Sequence, residues 1–227
     1  MGNTQNRITV REMARQSLEQ GDGMAWFELL YARAQQDTTQ IPWADLVPNP
    51  NLLDWLNRDP LPRSDSPLVP RLALVIGSGL GDDAEALAHR GFATTAFDIS
   101  ASAIAWSQKR FPTSTVFYVA ADLFAAPQQW QGQFDFVLES YTLQALPSNL
   151  RAKAYPCIAA FLAPGGTLLV IARGREPSEP EGHIPWPLTL ADLSQFETYG
   201  LQQVSLEDYW DQEDPPVRRF RVTYVKP

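Results

Sequence analysis

The chain has 227 residues, 44% of them apolar, with 26 acidic against 18 basic side chains and a net charge of −8. That is long enough to bury one full core, and the acidic excess argues against a nucleic-acid partner, because a phosphate backbone would be repelled. The longest apolar runs, Leu72 to Ile76 and Thr167 to Ala172, are strand-sized and far short of the roughly 20 residues that cross a bilayer; Met1 to Val10 lacks the apolar stretch of a secretory signal, and Cys157 alone forms no internal disulfide, so no membrane partner and a cytoplasmic location are expected.

In chain order, Met24, Phe27, Leu30, Tyr31 and Ala34 fall at helical spacing. Ile41 to Pro70 carries seven of the 19 prolines and is not expected to form long regular structure. From residue 71 the pattern changes to strand and helix in alternation. Arg71 to Ile76 reads as a buried strand running into Gly77-Ser78-Gly79-Leu80-Gly81, and Asp82 to Ala88 as a helix with acids in its first turn and Gly91 as its stop. Ala93 to Phe97 is the next strand, after which Ser100 caps a helix whose apolar face is Ala101, Ile104 and Ala105.

Strands Val116 to Val119 and Phe134 to Leu138 follow, then a helix over Ser148 to Leu162 with Pro156 placed to kink it, and a strand over Thr167 to Ile171. Pro177 to Pro187 holds four more prolines, and Thr189-Leu190-Ala191-Asp192 has the form of a capping box. Gln203 to Tyr209 and Arg219 to Val225 are two β-type segments with no helix between them, so an antiparallel pair is expected at one end of the sheet. The fold class is α/β, a Rossmann-like, doubly wound and mostly parallel sheet of seven strands, with residues 1–70 as a helical and proline-rich cap and 71–227 as the ligand-binding domain.

In such a sheet ligands sit beyond the carboxyl ends of the strands, where this chain places Asp98, Asp122 and Glu139. The G-x-G-x-G turn from Gly77 allows backbone to approach a ligand closely, and Asp98 follows 21 residues later, the spacing that presents a carboxylate to both hydroxyls of a ribose. A dinucleotide fingerprint starting at Gly77 needs glycine at position 82, where this chain has Asp82, so a nicotinamide cofactor is disfavoured. Acid beside the turn suits a cationic nucleoside ligand, and S-adenosylmethionine is one.

Taken together, the Ala73 to Asp83 turn, Ala96-Phe97-Asp98-Ile99-Ser100, Ala121-Asp122-Leu123-Phe124, Phe134 to Glu139 and Leu162 to Leu169 resemble the class I S-adenosylmethionine-dependent methyltransferases over about residues 70–172. Within that family the pattern is similar to the thiopurine and thiol/halide branch. Ile41-Pro42-Trp43-Ala44-Asp45 stands for its Pro-Trp-Asp segment and Ala145-Leu146-Pro147 for its Ala-Leu-Pro, while Ile76, Ser78 and Glu139 depart from its usual residues.

The resemblance implies that Gly77, Ser78, Gly79 and Gly81 line the methionine and ribose of the cofactor. It further implies that Asp98 holds the ribose with Ile99 against adenine, that Asp122 and Leu123 meet the adenine edge, and that Glu139 opens the loop beside the methyl group. Trp43, with Trp26, Phe27 and Trp186, offers an aromatic wall suited to a sulfonium and an apolar acceptor alike.

Methyl transfer from a sulfonium is an in-line displacement, so a thiolate or halide acceptor needs no base. The expected function is methyl transfer to a small-molecule acceptor, a thiol, halide or similar soft nucleophile. The alternatives are an oxygen or nitrogen acceptor, with Glu139 or His183 as base, and a module that binds S-adenosylmethionine without chemistry. Two histidines and one cysteine at unrelated positions offer no metal-ligand spacing.

Overall fold

The computed structural model describes residues 2–58 and 69–227. Seven strands form one sheet in the order β3-β2-β1-β4-β5-β7-β6. β1 (Leu72–Ile76), β2 (Ala93–Asp98), β3 (Phe117–Ala120), β4 (Phe134–Ser140) and β5 (Leu162–Arg173) run parallel, whereas β7 (Arg218–Val225) lies antiparallel to both β5 and β6 (Gln202–Trp210). The mostly parallel sheet with its antiparallel end is the expected one, and the strand order reverses between β1 and β4, which opens a crevice at their carboxyl ends.

The seven expected strands are present and their boundaries shift by at most two residues, with one exception. β5 begins at Leu162 and runs through Pro164-Gly165-Gly166, which the sequence reads as a helix stop. Leu162 pairs with Phe134, and the Gly165 amide donates to Lys226 O at 2.7 Å, so the neighbouring strands recruit a turn sequence into the ladder.

Helices cover both faces: α4 (Asp82–His89), α5 (Ala101–Arg110), α6 (Ser148–Phe161), α7 (Leu190–Leu193) and α8 (Gln195–Thr198). Thr189 and Asp192 form the expected capping box on α7. α5 buries Ala103, Ile104 and Trp106, and its expected face residues Ala101 and Ala105 are exposed. The face is turned because α5 is wedged between the sheet and an N-terminal helix, α2 (Ala25–Ala34), whose Tyr31 meets Trp106 edge-on at 6.4 Å.

The N-terminal region is more regular than its sequence suggests. α1 (Gly2–Glu19) precedes α2, and α3 (Pro50–Arg58) lies inside the proline-rich stretch, with Pro50 at its first position, where a missing amide costs nothing. Residues 59–68 of that stretch lie outside the described residues. α3 buries Leu52, Trp55 and Leu56 against the α4 side of the sheet, and Trp55 Nε1 donates to Thr223 Oγ1 of β7 at 3.0 Å. Full burial of a side chain such as Leu52 contributes about 1.5–3 kcal/mol, so this helix is held by packing. Among the described residues, no helix is long and apolar enough to cross a membrane.

Candidate functional site

A cavity of about 1060 Å³ opens at the carboxyl ends of β1, β2 and β4. Gly77, Ser78, Gly79 and Gly81 line it, as do Asp98, Ile99, Asp122, Leu123 and Trp43. The expected glycine turn, two of the three strand-end acids and the aromatic residue are thus brought to one place.

The turn is built so that only glycine fits. Gly77 has φ +60°, and a Cβ there would lie 2.4 Å from Thr142 Oγ1; Gly81 has φ +92°, and a Cβ would lie 2.5 Å from the Tyr118 hydroxyl. α5 braces the turn from behind. Ser107 Oγ donates to Gly79 O at 2.8 Å, and Arg110 donates to Leu80 O at 2.6 Å and to both carboxylate oxygens of Asp82 at 2.7 and 2.8 Å. The Asp82 charge is therefore matched by a guanidinium, which weakens the repulsion expected of it toward a pyrophosphate.

The uncompensated acid at the turn is its neighbour. Asp83 accepts the Asn49 amide at 2.6 Å, and burial pushes its carboxyl up to about 6.

Asp98 is 6% exposed. Its two oxygens accept the Gly79 and Ser100 amides, each at 2.9 Å, so the acid at the end of β2 fixes both the glycine turn and the start of α5. Burial raises its pKa and these amides oppose the rise. The start of α5 is held from a second side by Glu28 of α2, which accepts Ser100 Oγ at 2.7 Å, Ser102 N at 3.1 Å and Ser102 Oγ at 2.6 Å. Asp122 caps a 3-10 turn, Leu123–Ala125, through the Phe124 amide at 2.8 Å. Ser78 Oγ is buried and has no hydrogen-bond partner among the described residues, although its residue lines the cavity.

Trp43 Nε1 donates to the Tyr31 hydroxyl at 2.9 Å, and Trp43 meets Trp26 and Tyr31 edge-on at 6.0 and 6.3 Å. Trp26 and Phe27 also line the cavity, whereas Trp186 packs behind it against the N-terminal cluster. From the second proline-rich stretch, Ile184 and Pro185 reach the cavity.

The two base candidates lie elsewhere. His183 is exposed and outside the cavity wall. Glu139 is fully buried; its Oε1 accepts the Thr142 and Leu143 amides at 2.8 Å each, and its Oε2 has no partner. Burial pushes this carboxyl up to about 7. Glu139 therefore shapes the loop after β4 from beneath and does not line the cavity.

Sequence reasoning missed a second group of lining residues: Asn49, Tyr141, Arg173, Tyr209 and Arg219. Tyr141 has φ +65°, an uncommon conformation for its residue type. Asn51 donates to its hydroxyl at 3.3 Å, and Arg219 lies over its ring at 5.1 Å. Among the described residues, no group of three or more His, Cys, Asp or Glu side chains is placed to hold a metal ion.

Residues 73–166 match a family model described as a methyltransferase domain. No curated protein matches the chain by sequence. Among solved structures, the chain is similar to one described by the conversion of a disulfide bond into a thioacetal group during echinomycin biosynthesis, at 18% identity and a TM-score of 0.68, over 88% of this chain and 91% of that one. It is also similar to the N-methyltransferase NodS from Bradyrhizobium japonicum WM9, solved with S-adenosylhomocysteine (20% identity, TM-score 0.64, 87% and 98% of the two chains). A third is the 1,6-didemethyltoxoflavin N1-methyltransferase of Burkholderia thailandensis (18%, 0.57, 69% and 71%). The chain thus carries a methyltransferase domain at residues 73–166, set in the Rossmann-like fold of the class I S-adenosylmethionine-dependent methyltransferases.

Proposed function

We propose that the protein transfers the methyl group of S-adenosylmethionine to a small-molecule acceptor, a thiol, halide or similar soft nucleophile, in the cytoplasm. The observation that carries this reading is one cavity that joins the glycine turn and Asp98 to an aromatic wall with no histidine among its described lining residues. The orphaned Ser78 Oγ and the cradle that a Cβ would fill at Gly77 fit a bound ligand there.

Bound S-adenosylmethionine supplies a methyl group already activated on a sulfonium. The chain's own work is to hold and align. Gly77 to Gly81 would let the backbone approach the methionine and ribose, Asp98 would accept the ribose hydroxyls beside the amides it already holds, and Ile99, Asp122 and Leu123 would border the adenine. Trp43, Trp26 and Tyr31, which line the same cavity, would exclude water and suit a positive sulfur. Residues 1–70 act as the cap over the 71–227 domain and contribute this wall.

A soft nucleophile fits because neither Glu139 nor His183 reaches the cavity, and a thiolate needs no base. The thioacetal chemistry of one similar structure supports the same direction. A second reading, transfer to nitrogen or oxygen, is favoured by Asp83, a cavity acid whose carboxyl burial pushes up to about 6, and by N-methyltransferases among the similar structures.

The test is S-adenosylhomocysteine formation across thiols, iodide, amines and alcohols. Turnover confined to thiols or iodide, unchanged in slope near pH 6 by Asp83→Asn, supports the first reading. Turnover of amines that loses its pH dependence in Asp83→Asn supports the second. Binding of S-adenosylmethionine with no turnover on any acceptor would overturn both.

A further inference from the structure

We propose that the acceptor carries a carboxylate, held by Arg173 and Arg219 on the β5/β7 side of the cavity. The word acceptor rests on the methyl-transfer reading; the anion site rests on the arrangement of the two arginines.

The C-terminal segment contains a basic cluster, Arg218, Arg219 and Arg221, that the cofactor site does not use. Arg218 is matched by Asp208 at 2.6 Å and Glu176 at 2.5 Å, and Arg221 by Glu207 at 2.6 Å and Asp54 at 2.9 Å. Arg219 differs. It is 4% exposed, its Nε donates to Asp211 at 2.7 Å and its Nη2 to Glu213, yet its Nη1 is buried without a partner.

Directly across the antiparallel ladder from Arg219 is Arg173. Like charges placed opposite one another in a sheet repel and destabilise it. No carboxylate bonds Arg173: Asp211 and Glu213 are both paired to Arg219, so Glu213 eases the conflict only through its charge, and the nearby Gln144 Oε1 accepts the Arg173 backbone amide at 2.7 Å. The Arg173 guanidinium makes no hydrogen bond or ion pair among the described residues, and it is partly buried. Desolvation and the Arg219 charge both press its pKa down.

Both arginines line the cavity that holds the glycine turn. A sheet position of this kind, with five unused donors on one planar group and the two N–H of the unpartnered Nη1 on its neighbour, is completed by an oxyanion of matching planar shape. A monoanionic carboxylate fits better than a phosphate, because Asp45, Asp211 and Glu213 line the same cavity and offset the charges of Arg7, Arg173 and Arg219, which leaves little positive excess for a second negative charge.

The experiment uses the full chain and titrates benzoate, phenylacetate and 3-phenylpropionate, each against its amide and against phenyl phosphate, by calorimetry with and without saturating S-adenosylhomocysteine. At least one acid is expected to bind about tenfold or more tightly than its amide and than phenyl phosphate. Arg173→Gln should abolish the preference and Arg173→Lys should restore part of it, with S-adenosylhomocysteine affinity unchanged in both, since Arg173 supports no other side chain. Equal binding of every acid and amide, or a preference that survives Arg173→Gln, overturns the proposal, and tighter binding of phenyl phosphate overturns the choice of a carboxylate. Failure of the wild-type chain to bind S-adenosylhomocysteine would count against methyl transfer instead, and the titrations without it would still judge the anion site.

Discussion

The two sides of the cavity are made in different ways. On the β1/β2 side, one continuous stretch of chain supplies the turn, its acid and its brace: Gly77 to Gly81, Asp98 and α5 lie within 34 residues, and each is tied to the next by hydrogen bonds. On the β5/β7 side, the wall is gathered from Asn49, Tyr141, Arg173, Tyr209 and Arg219, which meet only after the sheet has closed. The first side is a fixed frame that a short segment specifies. The second depends on register, and a substitution there changes which ligand fits with little effect on the frame.

Substitutions can break this contrast or sharpen it. The largest effect is expected at Gly77→Ala, where a positive φ and a Cβ 2.4 Å from Thr142 Oγ1 combine. Strain of about 1–3 kcal/mol should lower the thermal midpoint, and S-adenosylhomocysteine binding measured by calorimetry should be lost. Asp98→Asn comes next. It keeps one acceptor oxygen and loses the charge, so cofactor affinity should fall by about tenfold or more; unchanged affinity would remove Asp98 from the ribose site.

Glu139→Gln probes the joint between the two sides. A carboxyl raised from 4.5 to about 7 in the folded chain contributes stability that is present below pH 4.5 and is lost as pH rises through about 7. The glutamine variant should flatten part of that decline in denaturant titrations, leaving the slope of the same sign from the other carboxyls raised by burial, Asp83 and Asp98, while turnover persists. A loss of turnover with normal folding would return Glu139 to the chemistry. The smallest effect is expected at Trp43→Phe, which leaves the buried Tyr31 hydroxyl without its donor at a cost of about 1 kcal/mol. It should raise the KM for the acceptor more than it lowers kcat.

The contrast also explains what could be read from the sequence. β1, the turn and β2 follow from a short apolar run, three glycines and an acid at a defined separation, all local signals. Arg173 and Arg219 are 46 positions apart, and nothing in either segment announces that register will set them face to face. α1 and α3 escaped for a related reason. Their helical state rests on packing against α2 and the sheet, which outweighs a polar composition in one and flanking prolines in the other. Glu139 was placed by its position at a strand end, but the loop after β4 draws its carboxylate beneath the cavity floor to satisfy two amides.

The clasp of Glu28 on Ser100 and Ser102 bears on how the chain can be divided. A fragment starting at residue 71 would retain every residue of the glycine turn and its acid, yet α5 would begin without the carboxylate that anchors its first turn, and Asp98 sits two residues before that anchor. Affinity for S-adenosylhomocysteine in such a fragment should drop even though Gly77 to Gly81, Asp98, Ile99, Asp122 and Leu123 are all present. Grafting residues 71–227 onto another N-terminal segment would require an acid at the place of Glu28, so α2 and the first turn of α5 act as one structural unit.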